Sequence, residues 1–164
     1  MHRMLRFRRL SLAFAALLLV AVACRDVAAP NEDPASTTYA PSLNVNLSQF
    51  KKTADGIYYQ DLSVGTGKQA VKDSTLKVYY TGWLTSGHQF DSNVGKTPFT
   101  FALGQGQVIK GWDEGILAGE PMRVNGRRRL VIPPDLGYGG KTYQTIPAGS
   151  VLVFDITLVA VGAT

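Results

Sequence analysis

One short stretch limits what this chain can fold into: Val108-Ile109-Lys110-Gly111-Trp112-Asp113-Glu114-Gly115. It is the only clear helical patch in a sequence that otherwise alternates like strands and breaks like turns. Val108, Ile109, Trp112 and Ile116 fall at i, i+1, i+4 and i+8, on one face of a short helix. Glycines at 104, 106, 111, 115 and 119 give the patch poor helix propensity. Such a helix needs a sheet around it to hold it. Trp112, on its buried face, would floor whatever lies above.

The strand signals on either side supply that sheet. Ile57-Tyr58-Tyr59-Gln60 is aromatic and β-branched and ends before the Gly65-Thr66-Gly67 turn. Lys68 follows that turn, but Leu62 stands where a phosphate-binding P-loop needs glycine, so that motif is excluded. Leu76, Val78 and Tyr80 share one face of a period-2 run, Gln89-Phe90-Asp91 is extended, and Phe99, Phe101 and Leu103 alternate again. In Arg127-Arg128-Arg129-Leu130-Val131-Ile132, Arg127 and Arg129 lie opposite Leu130 and Ile132, and Pro133-Pro134 stops the run. We expect the arginines to form a solvated outer face rather than a phosphate site. The last strand is the strongest, with Leu152, Phe154, Ile156 and Leu158 on one face and Val151, Val153, Asp155, Thr157 and Val159 on the other. No strand–helix–strand alternation is present. The predicted fold is therefore α+β, an antiparallel sheet of about five strands curled around one short helix.

The chain has 164 residues and a formal charge of +5. Arg3, Arg6, Arg8 and Arg9 carry most of that excess, and beyond them 13 Lys and Arg face 12 Asp and Glu. The basicity is a targeting feature and gives no support to nucleic-acid binding. After the basic start comes an apolar run over residues 12–23, too short for a permanent membrane span of about 20 residues, then the sole cysteine, Cys24. Residues 1–23 read as a signal peptide. Ordinary cleavage after Ala21-Val22-Ala23 would leave Cys24 without a role. Ala-Val-Ala-Cys instead resembles a bacterial lipobox, which implies lipidation of Cys24 and an envelope location on the periplasmic side. Residues 24–46, with Pro30, Pro34 and Pro41 and no apolar period, read as a disordered tether, and residues 47–164 as the folded domain.

Val78-Tyr79-Tyr80-Thr81-Gly82, Phe90-Asp91-Ser92, Pro98-Phe99-Thr100-Phe101 and the 108–115 stretch occur in order, followed by Ile132-Pro133-Pro134-Asp135-Leu136-Gly137-Tyr138-Gly139, Ile146-Pro147 and Leu152-Val153-Phe154-Asp155. This series resembles the FKBP-type peptidyl-prolyl cis-trans isomerases, a family that binds macrolides such as tacrolimus, and it covers about residues 47–162. The resemblance implies a proline-sized pocket floored by Trp112. It puts Tyr80, Phe90, Phe99, Val108, Ile109 and Phe154 in the walls, Asp91 and Tyr138 on a polar rim, and Ile146 in an overhanging loop. The Ile109 N–H and the Tyr138 hydroxyl would donate to substrate carbonyls. Proline-containing polypeptides are the implied partners. The sequence departs from the family at residues 92–97, which lack an arginine often paired with the pocket aspartate, and at Tyr143, where some members carry histidine.

That chemistry needs no nucleophile, cofactor or metal, because amide rotation breaks no covalent bond. His88 sits beside Gly87 in a turn and reads as solvated. Asp113 and Glu114 are adjacent rather than a helical turn apart, which suits the helix dipole and not a hydrolase pair. On that reading Asp113→Asn should matter little. A non-catalytic module holding proline segments is the competing reading. Nothing suggests an interface helix, so a monomer is expected.

Overall fold

The computed structural model describes residues 31–163. The basic leader, Cys24 and the first residues of the expected tether lie outside that range. The strands are β1 (Lys51–Lys52), β2 (Tyr58–Ser63), β3 (Thr75–Leu84), β4 (Gln89–Ser92), β5 (Phe99–Ala102), β6 (Arg127–Ile132) and β7 (Leu152–Val161), and helix α1 (Lys110–Gly115) lies between β5 and β6. Every pairing is antiparallel, in the order β1-β2-β6-β7-β3-β4, with β5 also on β3.

The strongest alternating run, β7, sits between β3 and β6 at the centre of the sheet. Leu152, Phe154, Ile156 and Leu158 join Leu76, Val78, Leu130 and Ile132 in the main core with Trp112 and Ile116 of the helix. Period-2 alternation thus sends one face of three adjacent strands onto α1.

Seven strands replace the expected five or so for two reasons. One is the two-residue β1. The other is a break in the edge strand: β4 pairs with Thr81, Gly82 and Trp83, while β5 pairs with residues 75–78 of the same strand. Across the gap the Asn93 side chain stands in for the ladder. Its Oδ1 accepts the Tyr80 N–H at 2.7 Å, and its Nδ2 donates to the Val78 carbonyl at 3.0 Å. Backbone groups that would lose partners are satisfied.

Two expectations need correcting. The arginine run is a solvated face only at Arg127, whose side chain is half exposed. Arg128 shares the inner face with Leu130 and Ile132 and is 1% exposed, while Arg127 and Arg129 both bond Asp155 on β7, at 2.6 Å and at 2.5 and 2.8 Å. Alternation put Arg128 on the core side, and the charge is tolerated because every direction of its guanidinium finds an acceptor.

The described part of the tether is not free either. Residues 31–46 run along the domain, Leu43 is buried with Val131, Val151 and Val153, and Tyr39, Val45, Leu47 and Phe50 pack around them. The Ala40 N–H donates to the Thr85 carbonyl at 2.8 Å, and Arg129 bonds the Leu43 carbonyl. A polar, proline-broken segment can still cover an apolar sheet face with a few well-placed side chains, and no periodicity announces them.

Candidate active site

The floor comes from α1. A Cβ on Gly111 would lie 2.4 Å from Ile132 Cγ2, and one on Gly115 would lie 2.7 Å from Leu130 Cδ1. The glycines that weaken the helix are the face that presses against β6. Arg128 secures its far end, donating from Nη1 to the carbonyls of Gly115 and Ala118 at 2.9 Å each and from Nη2 to that of Glu120 at 2.7 Å. Its Nε meets Asp61 Oδ1 at 2.7 Å. A helix end with orphan carbonyls is thereby closed by one side chain.

Above Trp112 opens a cavity of about 250 Å³ lined by Tyr80, Phe90, Asp91, Phe99, Val108, Ile109, Tyr138 and Phe154, together with Gln107 and Tyr143. The rings meet edge to face: Tyr80 on Trp112 at 5.0 Å and 78°, Trp112 on Phe154 at 5.3 Å and 88°, Phe90 on Phe154 at 5.5 Å and 85°. These geometries suit ring quadrupoles and fix the wall shape. Gly82 makes the Phe90–Phe154 contact possible, since a Cβ there would lie 2.6 Å from Phe90 and 2.7 Å from Phe154.

Polar groups are few and placed at the mouth. The Tyr80 hydroxyl donates to Asp91 Oδ2 at 2.5 Å. Burial, then that bond and the carboxylate charge, push the Tyr80 phenol far above its ordinary value of 10.0. Burial, then Tyr143 and Asp91, raise the Tyr138 phenol too. Both therefore stay protonated at neutral pH. Among the described residues neither the Tyr138 hydroxyl nor the Ile109 N–H has an acceptor. Ile109 is the N-cap of α1 in extended conformation, so its N–H precedes the helical bonds.

Asp113 takes no part in the cavity. Its two oxygens accept the N–H groups of Gly104 and Gly106 at 2.8 and 3.1 Å, pinning the loop that leads into α1, and Glu114 pairs with Lys110 at 3.3 Å. His88 is exposed. Among the described residues no three His, Cys, Asp or Glu side chains converge as metal ligands would.

A family described as FKBP-type peptidyl-prolyl cis-trans isomerase matches residues 66–159. The chain belongs to that family. An FK506-binding protein of Neisseria meningitidis is 44% identical over 108 residues, which are 65% of this chain and 96% of that one. FK506-binding protein 4 of Chaetomium thermophilum is 42% identical over 121 residues, 74% of this chain but only 23% of the fungal protein. The chain thus spans about a quarter of the length of that longer relative. The crystal structure of AtFKBP13 superposes with a TM-score of 0.63 at 42% identity, covering 68% of this chain and 97% of that one.

Of the ten pocket residues that the FKBP resemblance implies, nine line the cavity. Ile146 does not. It is 3% exposed and belongs to the main core, where it anchors the loop rather than facing the opening. The loop contributes Tyr143 instead, its ring stacked on Tyr138 at 4.4 Å and 5°. Gln107 is the other residue the sequence reading did not place. Its side chain accepts the Ala102 N–H at 2.9 Å, closing the end of β5. A glutamine among glycines carries no periodic signal, so only the folded loop shows its position.

Proposed function

We propose that the cavity over Trp112 binds X-Pro segments and accelerates their cis–trans isomerisation. The observation that carries this reading is the combination of aromatic walls with two unpaired donors, the Ile109 N–H and the Tyr138 hydroxyl, at the mouth. The barrier of about 18–20 kcal/mol arises from amide resonance, which places negative charge on oxygen. The twisted transition state has lost that resonance and is less polar than either planar state. An apolar pocket therefore favours it, and the two donors hold the flanking carbonyls so that rotation is confined to one bond. Lowering the barrier by only about 4 kcal/mol gives roughly a thousandfold acceleration. Tyr80 holds Asp91 at the rim, and Asp91 keeps the Tyr80 ring upright against Trp112.

Relatives named FK506-binding proteins support macrolides of that type as competing ligands of the same cavity. The signal-like start and Cys24 support a lipid-anchored protein of the bacterial envelope acting on proteins that fold there. Six residues separate Cys24 from Asn31, the first described residue, whose side chain bonds Asp135 of the domain. At about 3.6 Å per residue an extended link of that length reaches at most about 25 Å, so the domain would work close to the membrane.

The test is a protease-free exchange assay on an X-Pro tetrapeptide. Acceleration of cis–trans exchange supports the enzyme. Binding of the peptide without acceleration assigns the protein to the alternative, a module that only holds proline segments.

A further inference from the structure

The pocket rim is fastened from outside the family-matched region. Tyr138 leads into a loop whose feet are joined where the Gly149 N–H donates to the Gly139 carbonyl at 2.9 Å. Inside it Tyr143 and Ile146 exchange backbone bonds at 2.9 and 2.8 Å, which sets Tyr143 against Tyr138. Residues 140–145 are exposed, so little packing restrains the tip.

Two residues from the start of the described chain grip both feet. The Glu32 N–H donates to the Gly149 carbonyl at 2.8 Å, and Glu32 Oε2 accepts the Val151 N–H at 2.8 Å. On the other foot Asn31 Nδ2 donates to Asp135 Oδ1 at 3.0 Å, three residues ahead of Tyr138. Pro34 is buried just beyond, and a turn over Asp33, Ser36 and Thr37 leads the segment on towards Tyr39, whose hydroxyl donates to the Pro34 carbonyl at 2.9 Å. Neither Asn31 nor Glu32 touches the cavity.

We infer that Glu32 is a positioning residue for the pocket: it ties the base of the rim loop and so holds Tyr138 and Tyr143 over the opening. A loop with an exposed tip opens locally at a rate set by the few bonds at its base. Each opening removes Tyr138 from the binding-competent arrangement, and apparent affinity falls with the competent fraction. Both Glu32 contacts bear on one foot, and the carboxylate bond is the one a side-chain change can remove.

The kinetic part of this inference rests on the proposed isomerase activity, so the experiment reads the loop in a second way as well. Glu32→Ala, Glu32→Gln and Leu43→Ala are compared with the unaltered protein. Glu32→Ala should raise KM for an X-Pro peptide roughly three- to tenfold with kcat little changed, as loss of one such bond implies. Glu32→Gln keeps an oxygen acceptor for the Val151 N–H and should restore KM. Leu43→Ala weakens packing of the same segment on the outer face and should lower stability while leaving KM alone. Amide hydrogen exchange at Tyr143 and Ile146 should quicken in Glu32→Ala and not in Leu43→Ala, whereas Ile156 on the central strand, which exchanges through global opening, should quicken in Leu43→Ala and less than Tyr143 and Ile146 in Glu32→Ala. Unchanged KM and unchanged exchange in Glu32→Ala overturn the inference, as does a KM rise of equal size in Leu43→Ala. If the unaltered protein shows no turnover, the isomerase reading falls and exchange at Tyr143 and Ile146 alone decides the role of Glu32.

Discussion

Gly111 and Ile132 touch so closely that no side chain fits between them: a Cβ on Gly111 would lie 2.4 Å from Ile132 Cγ2. Two effects oppose each other in Gly111→Ala. Helix propensity favours alanine by about 1 kcal/mol. Overpacking against a fully buried isoleucine costs about 1–3 kcal/mol, and the short distance puts this case towards the upper end. We expect a net loss of about 1–2 kcal/mol in urea unfolding. A gain in stability would show that α1 can move off β6 freely.

Arg128 joins α1, the following turn and β2 through one guanidinium. Replacing it with alanine leaves Asp61 and several buried carbonyls without a donor, and we expect a loss of about 3–5 kcal/mol. Arg128→Lys keeps the charge but lacks the planar fork, so it should recover only part of that loss. Equal stability of Arg128→Lys and the parent in chemical denaturation would contradict the capping role.

Asp113 holds the Gly104 and Gly106 amides with separate oxygens. The earlier expectation that Asp113→Asn matters little is therefore revised. An asparagine can keep one of the two bonds, and we expect about 1 kcal/mol of destabilisation from the other. Hydrogen exchange should quicken at whichever glycine amide is released.

The alternating runs and the lone helical patch made the sheet, its inner face and the tryptophan legible before any coordinates. Tyr80, Phe90, Phe99 and Phe154 sit on strands, where period-2 geometry and motif order together place them. What was not legible depends on tertiary contact. Arg128 looked solvated because a charged run usually is, and only the carbonyls at the end of α1 explain its burial. Ile146 turned into the core and Tyr143 lined the cavity in its place, because a loop has no period to say which residue points inward. Leu43 and Glu32 lie in a segment whose composition matches a linker, yet two or three contacts dock it.

The Tyr80 phenol lies far above its ordinary 10.0, because burial and the Asp91 bond both favour the protonated form. Stability that depends on this proton is fully present below pH 10 and is lost as pH rises through the elevated folded-state value. Burial raises the Tyr39 and Tyr138 phenols as well, so alkaline absorbance titration should show several late-ionising phenols, and Tyr80→Phe should remove one of them. Ionisation of the Tyr80 phenol near pH 10 in the folded protein would sink the claim that the Asp91 contact persists in solution.

Trp112 is both floor and core, so Trp112→Ala should cost about 3–5 kcal/mol and abolish peptide binding together. A folded Trp112→Ala variant that still bound X-Pro peptide at the parent's affinity would place the site elsewhere.

The most direct measurement of the central claim is the protease-free isomerisation rate of Asp91→Val combined with Tyr138→Phe. Asp91 is exposed, and Tyr138 packs against the main core but keeps its ring in the phenylalanine, so both changes leave the apolar walls in place. We expect the double variant to unfold within a few degrees of the parent while its kcat/KM falls at least about tenfold, the loss of roughly 1.4 kcal/mol of transition-state binding. A rate equal to the parent's in a folded double variant would contradict the central claim.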